Sequence, residues 1–138
     1  MLSLNDMFEV TPEGAERLSP LVLAFVGDTV YDLFVRTMLV TSSTNGVDKL
    51  HKTATKYVCC AAQSDSFRRI EEMLSEKEMS VFKRGRNAKS HPPKNADTAQ
   101  YHNATGLEAL IGYLFLSGNS ERLYEIMKII LKTNEDLH

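Results

Sequence analysis

The sequence predicts an all-α domain of five to seven helices. Three observations carry that expectation: no segment alternates apolar and polar residues with period two for long, hairpin turn signals are absent, and apolar residues recur at helical spacing between capping residues and helix stops. With 138 residues the chain fits one domain, 1–138, built around one core. An apolar share of 43% suits a globular protein rather than a disordered one.

Residues 1–18 read as a lead-in in which Thr11-Pro12 opens one helical turn and Gly14 keeps it short. Ser19-Pro20 is a strong helix start, a capping hydroxyl followed by proline at the first helical position. The central helix that follows spans residues 19–40 and is apolar on almost every side. A polar loop at 41–46 leads to a second helix beginning near Asn45, on which Val47, Leu50, Ala54, Tyr57, Val58 and Ala61 follow helical spacing. The pattern continues through Phe67, Ile70, Met73 and Leu74 after a bend near Ser64-Asp65. Ser75 with Glu78 is a capping box, and the short helix it opens stops at Gly85. Residues 83–95, KRGRNAKSHPPKN, are acid-free and read as a basic loop. Asp97 caps a helix running to Leu116, Gly118 ends it, and Ser120 starts a last helix striped by Leu123, Ile126, Met127, Ile130 and Leu131.

Composition excludes several classes. The one long apolar run carries Asp28, Asp32 and Arg36, against a membrane span. The N-terminus has neither the basic nor the apolar part of a secretory signal. Cys59 and Cys60 are neighbours, no disulfide framework, and fit reduced core thiols in a cytoplasmic protein. Net charge is −2, but residues 47–94 hold 11 Lys/Arg against 6 Asp/Glu, a basic middle between acidic flanks that suggests a polyanionic partner.

The chemistry concentrates on two carboxylates. Asp28 follows Gly27 on the central helix, and no base lies one turn away; Asp32, by contrast, has Arg36 for an ordinary ion pair. Glu108 is the only charge in NATGLEALIGYLFL, residues 103–116. A carboxylate in apolar surroundings needs a partner, and Gly27, Gly106 and Gly112 are explained if the two helices pack backbone to backbone. Converging carboxylates without a cation fit Mg²⁺, which takes one or two carboxylates and fills its shell with water and phosphate oxygens. A sugar-hydrolysing acid/base pair ranks lower, since the chain has no Trp platform. Lys83, Arg84, Arg86, Lys89 and Lys94, with Lys49, Lys52 and Lys56, are candidate phosphate contacts that would position a nucleic acid without reading its sequence. His51, His91, His102 and His138 make no metal-ligand spacing with the cysteines.

FVGDTVYDLFVR resembles the signature helix of the ribonuclease III catalytic domain, centred on a Leu-Gly-Asp step. GLEALIGYLFL resembles that family's second motif, a Glu-Ala-Leu-Ile-Gly run with a metal-binding glutamate, and KRGRNAKS resembles the glycine- and arginine-rich segment before it. The likeness spans about residues 19–133. Ribonuclease III proper has further acids where this chain has Leu21, Ala24 and Thr105, and a C-terminal double-stranded-RNA-binding domain for which there is no room here. The reduced pattern is similar to the Mini-ribonuclease III group. That resemblance implies a homodimeric, cytoplasmic, Mg²⁺-dependent endoribonuclease maturing large-subunit (23S) ribosomal RNA from a double-stranded precursor stem, leaving 5′-phosphate and 3′-hydroxyl ends. Only Asp28 and Glu108 inherit catalytic and metal-binding roles. A ribosomal protein that presents the RNA is left open as a further partner. The rival is a non-catalytic ribonuclease III-like binding or dimerisation module, which the three missing acids favour and the retention of both Asp28 and Glu108 opposes.

Overall fold

The computed structural model describes residues 3–134. Eight α-helices lie among them: α1 (Leu4–Met7), α2 (Pro12–Glu16), α3 (Pro20–Ser42), α4 (Val47–Val58), α5 (Cys60–Ile70), α6 (Glu76–Arg86), α7 (Thr98–Leu116) and α8 (Ser120–Asn134), with a 3₁₀ turn at Glu71–Met73. The all-α expectation holds, with more helices than expected. The surplus comes from the four-residue α1 and from the break between α4 and α5.

Local chemistry sets most of the boundaries. Ser19 accepts from the Val22 amide at 3.3 Å, with Pro20 in the first turn of α3. Ser75 and Glu78 form the reciprocal capping box of α6, Glu78 Oε1 accepting from the Ser75 amide at 2.8 Å and Ser75 Oγ from the Glu78 amide at 3.1 Å. Asp97 Oδ1 accepts from the Gln100 amide at 3.0 Å to open α7. Gly118, at φ +77°, takes the left-handed conformation that stops a helix. The far end of α7 is closed by α1, where Asn5 Nδ2 donates to the carbonyls of Phe115 and Leu116 at 2.8 and 3.2 Å.

Three expectations need correction. The bend falls at Cys59, which is extended (φ −66°, ψ 158°) and ends α4, rather than near Ser64-Asp65. Helix α6 runs through Gly85 to Arg86, so Lys83, Arg84 and Arg86 sit in its last turn and not in a loop. Cys59 is exposed and Cys60 half-buried, so neither is a core thiol; both are free. His138 lies outside the described residues.

Helix α7 is the axis of the bundle, packed against α3, α6 and α5. It is apolar all round because neighbours cover it all round: Leu107, Leu110 and Ile111 are fully buried. Phe67 of α5 stacks on Phe82 of α6, their rings 3.6 Å apart and within 3° of parallel, and Tyr31, Tyr57, Ile126 and Ile130 complete the core.

Candidate functional site

The site is made by the crossing of α3 over α7. A methyl group on Gly27 would overlap the Glu108 carbonyl and come within 2.8 Å of the Gly112 amide nitrogen. One on Gly112 would overlap the Leu23 carbonyl oxygen and lie 3.0 Å from the Gly27 nitrogen. The two helices therefore touch backbone to backbone, a contact only glycine permits on both sides. The third glycine expected there serves elsewhere. Gly106 faces Phe82, and Gly85 of α6 meets Ala109 and Gly106, so that pair seats α6 on α7.

Because Asp28 follows Gly27 directly, the crossing sets its carboxyl against that of Glu108, close enough for Asp28 to raise Glu108. The sequence expectation that these acids converge is met in geometry; the expectation that both are core residues is met only in part. Asp28 lies on the exposed side of α3, while Glu108 is half-buried behind it. Burial raises the Glu108 carboxyl, the hydrogen bond and charge of Asp28 raise it further, and its value reaches about 8; only a hydrogen bond from Gln63 pulls the other way. At neutral pH the pair accordingly retains a proton.

The surrounding groups register the same negative field. Tyr31 is pushed up to about 12, chiefly by burial and in smaller part by Glu108, while its hydrogen bond with Ser66 and the charge of Arg69 act to lower it. Tyr31 Oη donates to Ser66 Oγ at 3.2 Å. The Cys60 thiol is raised by burial, then by Glu108 and Cys59. Asn103 Nδ2 donates to Ser64 Oγ at 3.0 Å, tying α7 to α5 one turn beyond Glu108. Among the described residues no group of three or more His, Cys, Asp or Glu is placed to hold a metal ion. The described residues thus bring two carboxyls together at the crossing.

The candidate phosphate contacts divide. Lys49, Lys52 and Lys56 are exposed on α4, at spacings that put them on one side of the helix. Lys89 and Lys94 are exposed between α6 and α7. In the last turn of α6, Lys83 is exposed, Arg84 donates to the Leu18 carbonyl at 3.5 Å, and Arg86 donates to Asn87 Oδ1 at 3.4 Å with its guanidinium 5.8 Å from the Phe82 ring centre. Asp32 pairs with Arg36 at 2.9 Å, as its spacing predicted. The sequence reading missed Gln63, a fully buried amide at the site. The signal was available: it falls one turn before Phe67, on the buried side of α5.

Comparison with known proteins matches residues 21–119 to the Ribonuclease III domain family. A Mini-ribonuclease 3 of Thermoanaerobacter sp. is 47% identical over 128 residues, 92% of this chain and 90% of that protein. One from Clostridium tetani is 45% identical, covering 93% of this chain and 86% of its own. Among solved structures, the crystal structure of protein FN1578 from Fusobacterium nucleatum superposes with a TM-score of 0.77 at 30% identity, over 86% of this chain and 95% of that one.

Proposed function

We infer, from the premise that the chain belongs to the Ribonuclease III domain family and there to the Mini-ribonuclease 3 proteins, that it is an endoribonuclease acting on double-stranded RNA with Asp28 and Glu108 as its catalytic centre. The observation that carries the assignment is the pair of carboxyls that the glycine crossing brings side by side, with Glu108 raised to about 8 by burial and by Asp28. Two acids with no neutralising base among the described residues are unfavourable as mere structure, and a cation would relieve them.

The donor set fits Mg²⁺. Two carboxyl oxygens from the protein, with water and phosphate oxygens for the rest, is the coordination this small hard ion accepts. When bound there, the ion supplies a nucleophilic water and stabilises charge on the phosphate under attack. The chain's own contribution is to hold the two carboxyls in register through Gly27 and Gly112. Asp28, the exposed member, would be the one open to an arriving phosphodiester, and Glu108 would release its proton to solvent on taking up the cation. The products are a 5′-phosphate and a 3′-hydroxyl, and the substrate we propose is the duplex stem of a large-subunit ribosomal RNA precursor, gripped by the exposed lysines of α4 and by Lys83, Lys89 and Lys94. A location in the cytoplasm agrees with two free thiols; no helix among the described residues is long and apolar enough to cross a membrane.

We further propose a homodimer. Leu4, Phe25, Leu33 and Tyr124 line an open apolar groove of about 790 Å³ along α3, and Phe25 is 79% exposed. So large an apolar surface on a small domain supports burial by a second copy, and a two-fold axis would supply the second centre needed to cut both strands. The test is incubation with duplex RNA and Mg²⁺, with and without chelator. Metal-dependent cleavage is expected; binding without cleavage would favour the non-catalytic module, a reading that Leu21, Ala24 and Thr105 support by standing where further acids occur in the larger enzymes.

A further inference from the structure

Gln63 is an amide in an apolar register, 2% exposed. Its Nε2 donates to the carbonyl of Val58, the last residue of α4, at 3.2 Å. Its side chain also neighbours Glu108 and acts to lower that carboxyl, against burial and Asp28. Gln63 thus stands between the α4–α5 corner, which it ties down, and the carboxyl on α7. Gln63 Oε1 is buried and has no hydrogen-bond partner. An interior amide with an orphaned acceptor weakens a fold, because the oxygen has lost its water and gained nothing. Methionine would fill nearly the same volume without that penalty, so packing alone does not account for glutamine.

We propose that Gln63 is a positioning residue of the metal centre: it orients the Glu108 carboxyl through Nε2–H and offers Oε1 to a water molecule in the cation's shell. This rests on the reading that Asp28 and Glu108 hold the cation. The Val58 carbonyl fixes the plane of the amide, so its second N–H points one way and Glu108 cannot rotate freely. Water held by a divalent cation presents only hydrogens outward, and is therefore the donor that the orphaned oxygen lacks. A side chain that orients a ligand in this manner changes metal affinity or activity by about 10- to 100-fold when removed.

The experiment titrates Mn²⁺ into the metal-free protein, following free Mn²⁺ by electron paramagnetic resonance, for wild type, Gln63→Met and Gln63→Asn. We expect Gln63→Met to melt within about 5 °C of wild type. Its Mn²⁺ affinity should fall about tenfold and kcat on duplex RNA at least as much, with KM for the RNA unchanged. Wild-type Mn²⁺ affinity and kcat in Gln63→Met would overturn the proposal. Should that variant fail to fold, Gln63→Asn keeps a buried amide but is one methylene too short to reach both Val58 and Glu108; the same loss of affinity supports the proposal, and wild-type affinity overturns it. Absence of Mn²⁺ binding in the wild type itself would overturn the metal reading beneath it, a failure distinguishable because it precedes any substitution.

Discussion

Glu78 and Glu108 belong to adjoining helices of one bundle and live under opposite electrostatics. Glu78 receives Arg122 Nε on Oε2 at 2.8 Å and Nη2 on Oε1 at 2.9 Å, while the same guanidinium donates to the Met73 carbonyl at 2.6 Å. Its carboxyl is held below the ordinary range, first by Arg122 and then by the Ser75 amide, against the opposing effect of burial. Glu108 has burial and a second acid instead, and rises to about 8. The first arrangement is complete within the chain and anchors α8 to the start of α6. The second has no such base to complete it among the described residues, and it is there that the proposed function places a cation.

The contrast can be broken most severely at the crossing. Gly27→Ala should destabilise the protein by on the order of 3 kcal/mol, because the added methyl meets backbone that cannot yield. It should also abolish cleavage at temperatures where the variant is still folded, since α3 must move off α7 and carry Asp28 away. Chemical denaturation and a cleavage assay on the same preparation check both; a stable, active variant would mean the contact is not what holds the acids together.

Arg122→Met attacks the complete arrangement. It should cost about 2 kcal/mol of stability, a figure discounted because Arg122 keeps 21% side-chain exposure beside a Glu78 at 8%. Cleavage per folded molecule should be unchanged. A variant that loses activity in step with wild-type-like stability would join the two regions that the account separates.

The pH dependence of stability should carry the smallest but sharpest signal, because the two glutamates contribute slopes of opposite sign. Glu78 is depressed, so its contribution is present above the unfolded carboxylate value and lost as pH falls through the folded one. Glu108 is raised, so the metal-free fold is favoured with Glu108 protonated; that stability is full below the unfolded value and is lost as pH rises toward about 8. In chelator, Glu108→Gln should therefore gain on the wild type between mildly acidic pH and pH about 8 and hold its lead above that. Urea midpoints across this range measure it, and a pH-independent difference would deny that Glu108 holds the proton.

Features set by short-range chemistry were legible in the sequence. Ser19-Pro20, Ser75 with Glu78, Asp97 and Gly118 each fix a helix end through neighbours within a few residues, and each does so in the structure. The break at Cys59 was not legible, because no glycine or proline marks it and the apolar spacing runs across it without interruption. The acid pair could be read because Glu108 is the lone charge of its apolar segment and Asp28 has no base one turn away, each with glycine nearby. Gln63 had only its place one turn before Phe67 to mark it, and was missed because glutamine is an ordinary helix-surface residue that the packing of α5 on α7 turns inward. Gly106 was assigned to the wrong neighbour for the same reason: sequence shows that a small residue is needed, not which helix needs it.

The central claim is that Asp28 and Glu108 act together on a bound cation, and the most direct measurement is duplex-RNA cleavage by Asp28→Asn and Glu108→Gln, each verified as folded, at saturating Mg²⁺. Both should fall by more than about 10²-fold, with RNA binding in chelator retained. Cleavage by either variant at the wild-type rate would contradict it.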